Sequence, residues 1–447
     1  CSILWIKCRI CPPTPEGWRD NRVQIRGLYK NRKYRVEGTA NKRQQIGTLI
    51  TANDGTLFRV HFAYNKLGLG KLPFKYFENP EIIGNKHKEN PSTFSNYPHK
   101  HSMSLNKRIV NYWHTDVHIC CREWLELLNR RGVVIMPDEF GPYWLELLEK
   151  TDLNVLGIHP VGVDGKNPYQ VLEAFLTDEN RREIDRLEDR GIHVEVEMHS
   201  LSWLLPREEF AAHPAWFRMN EEGERVSDFN LCVSSAEALE IISQNAARLA
   251  KLYRPRSNRY YFWLDDVADS KCHCPECQKL SASDAALMVY NAILRGLRLE
   301  NPEALQCYLA YHDTLEVPKT VRPEKGIFLE YAPMIRDFDR ALNDPESEKN
   351  RKQVASLPAL LSFFGTENAQ ALDYWLDNSL FSGWKKPPKP FSLHKETLAK
   401  DVAYYESLGI DSVTCFACYL GEEYYNLYGQ KPDIAGYARV LSGKAGA

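Results

Sequence analysis

No apolar run in this chain of 447 residues approaches the roughly 18 needed to span a membrane, and no leader pattern is visible. Residue 1 is Cys rather than Met, so the sequence is expected to be a processed, trimmed or partial chain. The missing leader therefore leaves both an exported and a cytoplasmic location open. Net charge is nearly absent as well, at −2, and nothing in 43% hydrophobic and 26% charged residues departs from an ordinary globular protein. Regular cysteine spacing is also lacking. Twelve cysteines are scattered irregularly through a chain far too large to need a disulfide framework.

The small net charge hides an asymmetry. Residues 1–110 hold 20 Lys/Arg against 7 Asp/Glu, an excess of 13, while the remainder holds 37 against 52, a deficit of 15. Such a shift marks a domain boundary. The basic part could meet nucleic acid, acidic glycans or an acidic partner surface, or be a solvated Lys-rich face. In residues 1–75 the short runs Val23–Leu28, Tyr34–Glu37, Gly47–Thr51 and Leu57–Tyr64 predict a small β-rich domain, with Asn53-Asp54-Gly55 as a hairpin turn. Residues 76–120 read as a linker or extended segment. From 121 to 447 the texture becomes strand, loop, helix, repeated.

Eight candidate strands are spaced along this part: Val133–Met136, Asn154–His159, Ile192–Met198, Arg259–Leu264, Gln306–Tyr311, Gly326–Glu330, Ala369–Asp373 and Ser412–Cys418. Amphipathic stretches lie between them, among them Asp178–Arg190, Ala236–Tyr253 and Asp284–Leu299. The alternation predicts an α/β fold, a (β/α)8 TIM-type barrel. It should be imperfect, because Thr314–Lys325, with two prolines, leaves no room for a helix between the fifth and sixth strands.

The most informative segment is Tyr260–Cys277, YYFWLDDVADSKCHCPEC. An aromatic run that reads as a buried strand ends in Asp265 and Asp266, and the carboxyl end of a barrel strand is where chemistry is done. Two adjacent acids raise each other's pKa, which helps one stay protonated as a general acid. The competing reading is an N-cap, or a carboxylate that orients the loop behind it. That loop carries Cys272, Cys274 and Cys277, a spacing that suits a knuckle around one structural zinc with Cys232, Cys307 or His273 as fourth ligand. Disulfides, one reaching Cys232, or free buried thiols also fit. No cofactor is expected for catalysis itself.

On the third strand Glu195, Glu197 and His199 share one face. Glu197 and His199 are expected to line a pocket, and Glu195 either lines it too or pairs in the core with an Arg or Lys. Other strand ends supply His159, His312, Glu330, Asp373 and Glu422, and aromatics crowd the same loops: Trp203, Trp263, Tyr311, Tyr331, Tyr374, Trp375, Trp384, Tyr419, Tyr424 and Tyr425. Acids that bind hydroxyls beside rings that stack on sugar C–H faces make a carbohydrate cleft. Core packing is the plain alternative for many of the rings.

Several collinear segments, His199–Arg207 (HSLSWLLPR), His213–Arg218, Asn230–Ser234, the Asp265–Cys277 stretch and Phe328–Arg336, resemble a family of glycosidase-like (β/α)8 proteins. That family was formerly known as a domain of unknown function and includes bacterial endo-β-N-acetylglucosaminidases; it is distantly similar to family 20 hexosaminidases. The resemblance covers roughly residues 130–430. It implies a glycoside hydrolase acting on β-linked N-acetylhexosamine by substrate-assisted, retaining catalysis. Asp265 would orient the acetamido group, Asp266 would protonate the leaving oxygen, and Glu330 stands in reserve as donor. His159, Glu197, His199, Trp263, His312, Tyr331, Arg336, Asp373, Tyr374, Trp375 and Glu422 would bind substrate. Two other classes compete: a silent glycan-binding barrel, and a zinc-containing nucleic-acid-modifying barrel, against which the acidic charge of the barrel part counts.

Overall fold

A computed structural model of the chain describes residues 128–443 in full and, before them, the backbone of six strands. These are β1 (Lys7–Ile10), β2 (Arg22–Tyr29), β3 (Arg32–Thr39), β4 (Ile46–Thr51), β5 (Thr56–Phe62) and β6 (Glu81–Asn85). They form two antiparallel three-stranded sheets, in the orders β1-β2-β3 and β4-β5-β6. β4 and β5 pair on either side of Asn53-Asp54-Gly55, which itself lies outside the described residues. β6 falls within the stretch read as a linker; the rest of that stretch lies outside the described residues. The chain divides into two compact units, Cys1–Leu125 and Glu126–Ala447.

The second unit is a closed barrel of eight parallel strands. They are β7 (Arg130–Ile135), β8 (Val155–Ile158), β9 (His193–His199), β10 (Arg259–Trp263), β11 (Leu305–Ala310), β12 (Ile327–Tyr331), β13 (Gln370–Asp373) and β14 (Ser412–Cys415). All eight expected strands are present, because short apolar, β-branched and aromatic runs bounded by turns can bury both faces only in such a sheet. Helices such as Asp178–Asp189, Ala236–Leu252 and Ala282–Glu300 pack outside it. The first two begin at Thr177 and Ser235, whose hydroxyls accept the backbone N–H of Asn180 and Ala238.

Between β11 and β12 there is a single turn, His312–Thr314, and then extended chain. A polar stripe on Ala282–Glu300 stands in for the missing helix. Asp284 Oδ1 accepts the N–H groups of Thr320 (2.7 Å) and Val321 (2.8 Å), and Asn291 Oδ1 accepts that of Glu324 (2.9 Å). Seven residues separate Asp284 from Asn291, two turns on one face, so both reach the same strap. The described residues include no helix long and apolar enough to cross a membrane.

Candidate active site

β9 and β10 pair with His199 directly beside Trp263, which fixes the centre of the carboxyl-end face. The two rings meet edge to face at 5.0 Å, and His159, leaving β8, packs against both. Each imidazole is oriented by a carbonyl: Nδ1 of His159 donates to Glu197 O (2.7 Å) and Nδ1 of His199 to Leu264 O (2.5 Å). A carbonyl can only accept, so each Nδ1 carries a proton. Burial, reinforced by the neighbouring His199, lowers the pKa of His159 to about 4, so its ring is neutral at physiological pH.

The two aspartates part company. Asp265 is mostly buried, at 11% side-chain exposure, and forms an ion pair with Arg207. Its Oδ2 also accepts the backbone N–H of Asn230 (2.6 Å), and its own N–H donates to Asn230 Oδ1 (3.2 Å). Asp266 is 56% exposed, with a carboxylate oxygen 3.9 Å from Nε2 of His199. Tyr311 is a second neighbour, its hydroxyl pushed up by burial and by that carboxylate. Tyr374 and Phe416, 5.4 Å apart, continue the aromatic floor. A cavity beside this group is lined by His199, Asp265, Tyr311 and His312.

Glu330 lies a layer lower. Its side chain is fully buried, with one oxygen accepting the Trp263 indole N–H (2.8 Å) and the other accepting Gln370 Nε2 (3.1 Å). The expected reserve donor is therefore sealed beneath Trp263. Glu197, expected at the pocket, is also fully buried; its two oxygens have no partner among the described residues. Gly157 makes the space it occupies, since a Cβ there would come within 2.7 Å of Glu197 Oε1. Burial pushes both acids up, Glu330 to about 7 and Glu197 well above the usual carboxylate range, and Glu330 adds to the shift of Glu197. Of the two alternatives for Glu195, the core pair is realised: Arg130 donates to it at 2.6 Å.

Four more expected substrate binders lie in the wall instead. Arg336 joins Asp373 (3.1 Å) and Asp401 (2.6 Å), all three without exposed side chain in that network. Tyr405 donates to Asp373 and the Trp375 indole to Asp401. Tyr331 is fully buried against Tyr405. Arg336, Asp373, Trp375 and Tyr331 thus brace β12 and β13. Glu422 is exposed at the start of the helix Glu422–Tyr428, and no interaction ties it to Asp266.

The cysteine loop closes on itself. Cys232, Cys272, Cys274 and Cys277 are buried, are not disulfide-bonded, and bring their sulfurs within 4.8 Å of one another. Cys232 lies 3.6 Å from Cys274 and 3.8 Å from Cys277. Four thiolates at about 2.3 Å from a tetrahedral ion stand about 3.8 Å apart, so the spacing suits a metal. Donors already face the sulfurs: Met219 N–H (3.3 Å) and Arg225 (3.7 Å) on Cys272, and Ser234 (3.1 Å) beside Cys277. Cys307, Cys415 and Cys418 are buried core thiols elsewhere.

Sequence reasoning did not pair Arg207 and Asn230 with Asp265. The signal was present in the collinear segments, since Arg207 closes one of them and Asn230 opens another.

Residues 149–360 match a family described as a domain of unknown function, DUF4838. No curated protein matches the chain. Among solved structures it is similar to a cold-adapted β-galactosidase from Rahnella sp. R3, at 14% identity and TM-score 0.39, covering 65% of this chain and 50% of that one. A β-galactosidase from the psychrophilic Marinomonas ef1 gives 13% identity and TM-score 0.38, covering 64% and 54%. Gan42B, a GH42 β-galactosidase, gives 13% and 0.40, covering 72% and 57%. The chain spans only about half the length of the first two.

Proposed function

We propose that the barrel is a glycoside hydrolase acting on β-linked N-acetylhexosamine, with Asp266 as the proton donor. The observation that carries this reading is the unequal exposure of two neighbours. Asp265 is tied to Arg207 and to the Asn230 backbone, while Asp266 stands exposed with His199 and Tyr311 as neighbours. A conventional retaining pair needs two carboxyls about 5–5.5 Å apart across the scissile bond, and an inverting pair about 6.5–9.5 Å. Glu330 and Glu197 lie sealed below the floor and Asp265 is tied down, which supports the sugar's own acetamido oxygen as nucleophile. His199 and His312 would then bind the sugar; His159, Tyr374 and Trp263, expected as binders, are buried and would support them from below. Asp265, proposed on resemblance as the orienting acid, becomes a positioning residue for Asp266. The four cysteines would hold a structural zinc, with no open coordination position for chemistry.

The test assays aryl β-N-acetylhexosaminides and N-glycans with wild type and Asp266→Asn. Hydrolysis by wild type that collapses in the variant, and inhibition of wild type by an N-acetylglucosamine thiazoline, are expected. Equal turnover by both proteins removes Asp266 from the donor role, and inactivity on every glycan removes the hydrolase. One observation favours a second reading, a glycan-binding barrel without turnover: of the three acids Asp265, Asp266 and Glu330, only Asp266 is open to solvent. Calorimetric sugar affinity without hydrolysis would identify it.

A further inference from the structure

Two cations border the cysteine knuckle without an acid of their own. Arg225 and Lys271 are half-buried, and among the described residues neither forms an ion pair with a carboxylate. Other cations of the same loops are different: Arg218 pairs with Asp228, and Lys279 with Glu276 at 2.8 Å. Withdrawing a cation from water without a counter-charge costs free energy, so an anionic group is expected beside Arg225 and Lys271.

The group beside them is the sulfur cluster. Arg225 and Met219 bridge to each other and close a short hairpin that grips Cys272 from both ends. The Met219 N–H donates to the Cys272 sulfur at 3.3 Å and Arg225 Nη1 donates to it at 3.7 Å. Phe217 O holds the guanidinium there, accepting from the same nitrogen at 2.6 Å, and Met219 O accepts the N–H of His273 at 2.8 Å. Lys271, the residue before Cys272, turns its Nζ onto Cys277 O (3.1 Å) and Leu280 O (2.8 Å). Four thiols or two disulfides would be neutral and would leave both cations unbalanced. Four thiolates around a divalent ion carry two net negative charges, and Arg225 and Lys271 supply two positive ones.

Resting on the zinc reading above and independent of the glycan reading, we propose that Arg225 and Lys271 are the counter-ions of a dianionic four-thiolate centre, so that the knuckle is built for a divalent, thiol-seeking ion. Neither residue is a ligand; both act through the cysteines. The experiment withdraws zinc from the full chain with a chromogenic chelator, in wild type, Arg225→Ala, Arg225→Lys, Lys271→Ala and Arg218→Ala. Arg225→Ala is expected to hold zinc about 10–100-fold more weakly, the usual cost of losing a partner behind a metal ligand, and Lys271→Ala about tenfold more weakly. Arg225→Lys keeps the charge and should keep most of the affinity. Arg218→Ala, whose charge is spent on Asp228, should keep all of it. Wild-type affinity in both alanine variants overturns the counter-ions and leaves the zinc site standing. Arg225→Lys as weak as Arg225→Ala would make Arg225 a packing residue of the hairpin, which also overturns the proposal. Wild type that holds no zinc, with its cysteines as thiols or disulfides by mass, removes both.

Discussion

Asp265 and Asn230 hold each other twice, carboxylate to backbone N–H at 2.6 Å and backbone N–H to side-chain oxygen at 3.2 Å. Asn230 is two residues from Cys232, so the end of β10 is fastened to the segment that carries the fourth cysteine. Asn230 also donates to Ser270, at the entry to the cysteine loop, at 2.5 Å. The acid that faces solvent is thus aimed by its neighbour.

Asp266 and Asp265 are therefore expected to fail differently. Asp266→Asn should lower turnover on an aryl N-acetylhexosaminide by about 10²–10⁴, the usual contribution of a general acid, and leave the melting temperature near that of wild type. Asp265→Ala strands the part-buried Arg207 and should cost about 3 kcal/mol in urea unfolding. Equal stability of the two variants would contradict this division.

Metal content gives a second test. We expect one zinc per chain, and intense thiolate-to-metal absorption when cobalt replaces it. Cys272→Ser should lose the ion and melt lower, and it should also reduce turnover through the Asn230–Asp265 link. Full occupancy in Cys272→Ser would eliminate a four-cysteine site.

The buried acids make stability depend on pH. Glu330 keeps its proton to about 7 because burial opposes its charge, whereas an ordinary Glu releases it near 4.5. Between those values the folded state holds the extra proton, so this contribution is full on the acid side and is lost as pH rises through the window. His159 acts oppositely: with its pKa lowered from 6.5 to about 4, its contribution is lost as pH falls through that range. The difference between wild type and Glu330→Gln isolates the first effect. The variant should remove about 3 kcal/mol of the decline between roughly pH 4.5 and 7. Parallel stability curves for the two proteins would refute it.

The network around Arg336 is expected to be purely architectural. Asp401→Ala leaves a buried guanidinium short of a partner and should cost about 3–5 kcal/mol. Any oligosaccharide affinity should be unchanged in the protein that remains folded. Calorimetry at low temperature checks this, and a selective loss of affinity would return Asp373 and Arg336 to the binding site.

Most of the barrel was legible in the sequence because each strand is a short apolar run between turn residues, and even the absent helix was announced by the prolines near 320. Spacing gave three members of the cysteine cluster and left Cys232 among the candidates for the fourth, because that residue comes from a distant segment. The depth of each acid was not. Alternation along β9 places Glu195, Glu197 and His199 on one face, but a barrel interior has layers, and only the last residue of that face reaches the mouth. Glu330 likewise precedes the final residue of β12, one layer too low. Asp373 ends β13 yet meets Arg336 and Tyr405, partners more than thirty residues away that no local pattern connects to it.

The strap that replaces the missing helix has its own bearing on how a ligand enters. His312 begins a segment pinned along two turns of Ala282–Glu300, so its flank of the entrance behaves as a fixed jamb. Trp384 rides a connection that is tied as well, through Lys386 to Glu423, through the Phe391 N–H to the Tyr424 hydroxyl (2.9 Å) and through the Tyr428 hydroxyl to Pro388 O (2.6 Å). Both flanks are thus lashed to neighbouring helices, so the fold rather than an arriving ligand sets the width between them.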